Sequence, residues 1–169
     1  NFLAHLLVSE IIVRNNSDKS ILKIASVTSP VYKMAKSFPG WTQDSLNYKP
    51  IKSYSDSKLF LAMMGSHLAA KYPEKNLSCY SVDPGVFSSS IYRTQGKIFG
   101  FLYQVAAPFM RNPAVVAGVI YEMMVDPDFS GGAIYNTRKR MEHLPEYNKD
   151  LTRSFWERCD EAIERYLVG

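Results

Sequence analysis

The stretch ILKIASVTSP, residues 21–30, decides the fold, because it describes a strand with a defined end. Residues 21–27 form a compact run rich in β-branched side chains, which favours a strand. Thr28 and Ser29 follow, and Pro30 cannot continue a hydrogen-bonded ladder. The sequence therefore predicts a strand over 21–27 that ends in two hydroxyl side chains.

Helical patterns lie on both sides of this strand. Residues 2–14 carry apolar side chains at helical spacing and end in a polar cluster. Residues 54–71 form a long run of helix formers, and their near-continuous hydrophobicity predicts burial on more than one face. The mixed segment 31–50 between them predicts a loop with at most one helical turn.

The rest of the chain continues the alternation of strands and helices. LSCYSV, residues 77–82, predicts a second strand, and residues 133–136 predict a third. Helices are expected over 98–110, 114–124 and 151–167, with Pro113 in a first helical turn. This order predicts an α/β fold in which helices cover both faces of a parallel sheet, and such sheets bind ligands beyond the carboxyl ends of their strands.

The composition is that of a globular domain, with 169 residues of which 46% are hydrophobic and 21% charged. The formal net charge is +4, and the basic residues are scattered, so we expect no nucleic-acid partner. Cys79 and Cys159 lie far apart and the three histidines are dispersed, so we expect no metal site and a reducing compartment. The chain lacks an initial Met and opens on a helical pattern, which favours a fragment.

A tyrosine with a lysine four residues on can share one helix face, where the ammonium favours the ionised phenol in general acid–base catalysis. The chain has four such pairs, and roughly one is expected by chance. Only Tyr54/Lys58 opens the long helix; its simplest alternative role is that of a surface pair. The other three pairs span a proline, begin in a predicted strand, or lie in an irregular segment: Tyr48/Lys52, Tyr135/Lys139 and Tyr32/Lys36.

Four motifs in this order resemble the retinol-dehydrogenase-like branch of the short-chain dehydrogenase/reductase superfamily. They are Asn1-Phe2-Leu3-Ala4-His5, Ser26-Val27-Thr28-Ser29, Tyr54-Ser55-Asp56-Ser57-Lys58-Leu59, and Asp83-Pro84-Gly85-Val86-Phe87-Ser88-Ser89. Tyr54 follows Ser29 by 25 positions, and this long spacing also resembles that branch. The resemblance implies a Rossmann-type α/β fold and an oxidoreductase that interconverts an alcohol and a carbonyl with NAD(P)(H).

The resemblance also implies a catalytic role for each matching residue. Tyr54 would exchange a proton with the substrate oxygen, and Ser29 would orient and polarise that oxygen. Lys58 would hold the nicotinamide ribose hydroxyls and favour the ionised form of Tyr54. Asn1 would anchor a water of the proton relay.

The cofactor implied by the resemblance is NADP, with NAD as the alternative. Tyr54 and Lys58 would contact it from the helix, and further contacts would come from the loop after the second strand, at Pro84, Gly85, Phe87 and Ser89. The chain contains no Gly-rich dinucleotide turn of the G-x-G-x-x-G type. Residues 1–169 are therefore expected to form the C-terminal catalytic and substrate-binding half of one domain, inactive alone, with the cofactor-binding half upstream.

Residues 90–124 correspond to the substrate lid of the resembling branch. The stretch 98–110 is unusually apolar and is flanked by Lys97 and Arg111. We expect a lipophilic substrate and a peripheral contact with a membrane or lipid droplet. The expected location is the cytosolic face of the endoplasmic reticulum or a lipid droplet, and the alternative is the cytoplasm. The alternative is that the stretch packs on the sheet or on a second copy in a homodimer.

A function of another class stays open beside the enzyme. The chain is alternatively a non-catalytic remnant that acts as a binding or oligomerisation module. An upstream Gly-rich turn would favour the enzyme.

Overall fold

A computed structural model describes residues 2–16, 21–35, 49–87, 110–129, 131–144 and 146–167. Within them the elements alternate along the chain much as the sequence predicts. They are α1 (Phe2–Asn15), β1 (Leu22–Val27), a 3-10 helix (Pro30–Met34), α2 (Pro50–Lys71), β2 (Leu77–Asp83), α3 (Pro113–Val125), β3 (Ile134–Asn136), β4 (Met141–Glu142) and α4 (Lys149–Leu167).

The four strands form one open sheet in the order β1-β2-β3-β4. The first three strands are parallel, so the predicted α/β fold is confirmed. The sequence analysis missed β4, which runs antiparallel to β3 and corrects the expectation of a purely parallel sheet. The Asn136 side chain organises the turn between them, accepting from the backbone N–H of Arg138 at 2.8 Å and of Arg140 at 3.2 Å.

Helices cover both faces of the sheet, as predicted. Alternate residues of β2 and β3 point to opposite sides, with Cys79 and Ile134 in one cluster and Tyr80 and Tyr135 in the other. The larger cluster packs α1, α2 and α4 on one face, which we call the bundle face. The smaller cluster packs α3 on the opposite face, which we call the α3 face.

Two helices begin with a proline, one where the sequence predicts it and one earlier than predicted. Pro113 opens α3 as predicted, and the Asn112 side chain caps the helix by accepting from the Ala114 N–H at 2.8 Å. Pro50 also opens a helix, so α2 begins four residues before the predicted start at Tyr54. The predicted helix 98–110 lies outside the described residues except for Met110, which is not helical.

Charged side chains connect the three helices of the bundle face. The fully buried Glu10 of α1 accepts from Lys71 Nζ at 2.7 Å and from the Tyr72 hydroxyl. Lys71 also pairs with Asp160 of α4 at 2.9 Å. These bonds compensate the cost of removing the Glu10 carboxylate from water.

Among the described helices, none combines the length and apolar character needed to cross a membrane.

Candidate active site

The candidate site lies where β1, β2 and β3 end, at the carboxyl edge of the sheet. Thr28 extends the pairing beyond β1, since its N–H donates to the Val82 carbonyl at 2.9 Å. Asp83 at the end of β2 pairs in register with Asn136 at the end of β3. The residues after all three strands therefore share one edge, which is where parallel sheets bind ligands.

Tyr54 and Lys58 lie on α2 close to this edge. The Thr28 hydroxyl donates to the Lys58 carbonyl at 2.6 Å and so fixes this turn of α2 against β1. Lys58 Nζ lies 5.8 Å from the centroid of the Tyr54 ring and 3.5 Å from the Val27 carbonyl oxygen. The structure thus brings the tyrosine, its lysine and the end of β1 together.

The Lys58 ammonium is half-buried and lacks a carboxylate partner among the described residues. Burial lowers its pKa, because removal from water disfavours the charged form. A cation held in this way keeps its N–H donors available for hydroxyl or phosphate oxygens, and this donor set fits a sugar–phosphate ligand.

Ser29 lies two residues after β1, partly buried, with extended backbone. Its carbonyl accepts from the Tyr32 N–H at 3.0 Å, but its hydroxyl does not cap the 3-10 helix. Within the described residues no hydrogen bond joins the Ser29 and Tyr54 hydroxyls. Their convergence on a substrate oxygen stays a prediction.

The Asp83 side chain stabilises the turn Asp83-Pro84-Gly85. The Asp83 carboxylate accepts from the Gly85 N–H at 2.9 Å, and Gly85 takes a positive φ of 71°. Burial raises the pKa of Asp83, while the Gly85 bond and the Lys33 ammonium at 3.8 Å act in the opposite direction. Phe87 then forms a bridge with Arg111, which ties the turn to the start of α3.

The sequence analysis missed a polar network on the same edge. Glu142 of β4 pairs with Lys33 at 2.5 Å and accepts from Asn136 Nδ2 at 2.9 Å, and both contacts lower its pKa. The buried Tyr32 hydroxyl donates to the same carboxylate at 3.4 Å, and burial raises the pKa of Tyr32. No local sequence motif predicts this network, because it depends on the long-range pairing of β3 with β4.

A cleft of about 420 Å³ adjoins the first turns of α2. It has apolar walls and one ion pair, in which Lys52 contacts Asp56 at 2.7 Å. Its lining residues are Met34, Ala35, Lys49, Ile51, Lys52, Ser55 and Asp56.

Other predicted residues fall outside the described part of the chain. Asn1 and Ser89 are among them, as is most of the lid at 90–124, from which only residues 110–124 are described. Their roles in the proton relay, the cofactor site and the lid therefore stay predictions.

One cluster on the bundle face has the composition of a metal site. Atoms of Glu10, His67 and Asp160 lie within 4.8 Å of one another. The Lys71 ammonium bonds to both carboxylates and already supplies the counter-charge. The cluster is therefore explained by ion pairing between helices.

Comparison with known proteins gives a distant relative. Over 177 aligned residues the chain is 23% identical to a human protein named polyprenol dehydrogenase. The alignment covers 95% of this chain and 52% of that protein, so the chain spans about half the length of the relative. No protein-family model matches the chain. The similarity, together with the α/β fold, supports a distant relationship to dehydrogenases and leaves the retinol-dehydrogenase-like branch a prediction.

Proposed function

We propose that the chain is the catalytic part of an oxidoreductase that interconverts a lipophilic alcohol and its aldehyde or ketone. The observation that carries the proposal is the position of Lys58, whose ammonium lies beside both the Tyr54 ring and the end of β1. Two further observations support it: the ordered motifs of the sequence and the similarity to a polyprenol dehydrogenase.

In this proposal Tyr54 moves the proton. Its hydroxyl donates a proton to the carbonyl oxygen in reduction and accepts one from the alcohol in oxidation. The Lys58 ammonium, one helical turn away, stabilises the phenolate between these states. Ser29 donates a hydrogen bond to the same substrate oxygen and fixes its orientation.

A nicotinamide dinucleotide, NADP or alternatively NAD, would supply or accept the hydride. The Lys58 N–H donors that do not contact the Val27 carbonyl would bind its ribose hydroxyls. The turn at Pro84 and Gly85, with Phe87 and Ser89 beyond it, would line the nicotinamide side. Among the described residues, a Cβ on Gly85 would meet only Thr137 Oγ1, at 4.0 Å, which leaves space for a ligand beside the turn. The cleft with apolar walls beside α2 is a candidate position for a hydrocarbon tail.

The test compares Tyr54→Phe with Tyr32→Phe in the full-length protein. Tyr32 is the matched control, because it lies near the same edge and is also followed by a lysine four residues on. Turnover of a polyprenol in detergent micelles is followed by nicotinamide reduction with NADP and with NAD. We expect Tyr54→Phe to lower kcat by about 100-fold or more, because general acid–base catalysis contributes that much, while Tyr32→Phe stays close to wild type.

The outcomes separate the enzyme from the binding module. A folded wild-type protein that binds neither cofactor and turns over no alcohol would favour the non-catalytic remnant. Equal turnover by wild type and Tyr54→Phe would show that Tyr54 takes no part in proton transfer.

A further inference from the structure

Helix α3 is more apolar than its burial requires. Of its 13 residues only Glu122 is charged, yet only Val116 and Met123 are buried. Val115, Tyr121 and Val125 are 61%, 68% and 62% exposed, and Met124 is also exposed. An apolar helix that leaves this much apolar surface in water indicates a partner.

Of these exposed side chains, Tyr121 and Val125 lie on the outward side of the helix, and Val115 and Met124 lie on its two flanks. With 100° between successive residues, Ala114, Gly118, Tyr121 and Val125 lie opposite the buried Val116 and Met123. We call these four residues the outward stripe. It contains no charge, and it carries an aromatic ring with a polar tip, which suits the boundary between lipid and water.

Basic residues flank this stripe. The β3–β4 turn presents Arg138, Lys139 and Arg140, all exposed, and the two Asn136 bonds hold its backbone in place. Lys139 pairs with Glu122 of α3 at 3.2 Å, and Arg111 before the helix donates to Thr137 of the turn. The turn is thereby fixed alongside α3.

The local charge remains positive when the nearby acids are included. Lys23 donates to the Asp126 carbonyl at 2.6 Å and so lies beside the acidic residues Asp126 and Asp128. Among the described residues, the surroundings of α3 therefore hold five cations against three carboxylates: Lys23, Arg111, Arg138, Lys139 and Arg140 against Glu122, Asp126 and Asp128.

We propose that the outward stripe and the basic turn together bind an anionic membrane surface. The apolar side chains enter the boundary between head groups and acyl chains, and the basic residues contact lipid phosphates and carboxylates. A second copy of the chain would place like charges opposite each other around the same stripe, so we infer a lipid surface as the occupant. The turn follows β3 at the carboxyl edge, so this surface adjoins the candidate active site and deepens the proposed function by presenting a membrane-dissolved alcohol.

The test measures vesicle co-sedimentation of the full-length protein, with phosphatidylcholine alone and with added phosphatidylserine. The charge variant is Arg138→Gln with Arg140→Gln, and its control is Arg158→Gln with Arg165→Gln on α4. The apolar variant is Tyr121→Ser with Val125→Ser. Its control is Val8→Ser with Ile12→Ser on α1, which removes exposed apolar groups from the bundle face.

We expect the charge variant to bind anionic vesicles roughly 20-fold more weakly than wild type, since each basic residue near such a surface contributes about a fivefold effect. The apolar variant should lose about tenfold or more on the same vesicles. Both controls should match wild type. Circular dichroism and a cooperative unfolding transition verify that each variant is folded.

Three results would overturn the proposal. They are wild-type binding that does not depend on phosphatidylserine, losses no larger than those of the controls, or a dimer in sedimentation without vesicles that Tyr121→Ser with Val125→Ser abolishes. None of these readouts uses turnover. An inactive protein that binds vesicles, or an active one that does not, therefore separates this proposal from the proposed function.

Discussion

The two faces of the sheet are covered to very different degrees. On the bundle face, three helices bury a large cluster that includes Phe155, and the partly buried Phe60 stacks on the Phe155 ring with centroids 4.1 Å apart. On the α3 face, one helix contributes a single fully buried methionine, Met123, to a cluster of five residues. There the Tyr80 hydroxyl is buried without a hydrogen-bond partner among the described residues.

The contrast shows that covering both faces of a sheet does not require equal packing on both. The bundle face combines apolar packing with the paired charges of Glu10, Lys71 and Asp160, which fix the helices relative to one another. The α3 face leaves apolar surface exposed. We infer that the bundle face carries most of the stability and that the α3 face is available for binding.

The largest effect is expected where β3 approaches α2. A Cβ on Gly132 would lie 2.6 Å from the Ser66 Cα, and Gly132 has a φ of 71°. Gly132→Ala should therefore lower the free energy of unfolding by more than about 3 kcal/mol, since a backbone atom must move. Gly131→Ala is the matched control, because Gly131 has a φ of 77° but its Cβ would meet no described atom within 4 Å, and it should cost about 1 kcal/mol. Urea unfolding of the full-length protein measures both, and equal losses would show that α2 is loosely held.

The next effect compares one buried side chain from each face. Leu68 and Met123 are both fully buried. Leu68→Ala should cost about 3 to 4 kcal/mol, because the surrounding helices cannot close the cavity. Met123→Ala should cost about 2 kcal/mol, because α3 can move inward. A loss for Met123→Ala as large as that for Leu68→Ala would contradict the difference between the faces.

The smallest effect concerns acid stability on the bundle face. Burial alone would raise the pKa of Asp160, but hydrogen bonds from His67 and Lys71 bring it below its ordinary value. The contacts of Asp160 with His67 and Lys71 therefore stabilise the fold at pH values above the unfolded Asp160 pKa of about 4. This contribution is lost as the pH falls through the lower pKa that Asp160 has in the folded protein.

Replacing Asp160 with Asn removes that titration. The stability difference between wild type and Asp160→Asn should be below about 1 kcal/mol at neutral pH and should shrink toward pH 3. Denaturation curves at the two pH values measure it. If the stability difference between wild type and Asp160→Asn stays constant with pH, the contribution of Asp160 comes from packing and not from its charge.

The fold could be predicted where local patterns decide it. The β-branched run before Pro30 and the run before Asp83 both form strands, and Pro113 opens a helix as expected. Strand β4 could not be predicted, because Met141 and Glu142 form only a two-residue strand, fixed by pairing with β3. Pro50 opens α2 although the segment 31–50 predicts a loop, because position alone does not separate a helix start from a break.

The candidate site was predictable only as an ordered set of motifs. The spacing of Tyr54 and Lys58 places them on one helix face, but their position beside Val27 depends on the Thr28 bond across the fold. The Glu142 network could not be found from sequence, since its members meet only through the sheet. The sequence predicts a membrane contact at 98–110 and not on α3, because apolar residues at helical spacing ordinarily indicate burial.

The contact between His67 and Trp156 gives the bundle face an optical signal. The two rings stack with centroids 4.0 Å apart and planes inclined by 6°. Because the emission of an indole depends on the groups that contact it, the fluorescence of Trp156, isolated by replacing Trp41 with Phe, reports whether the contact between α2 and α4 is intact.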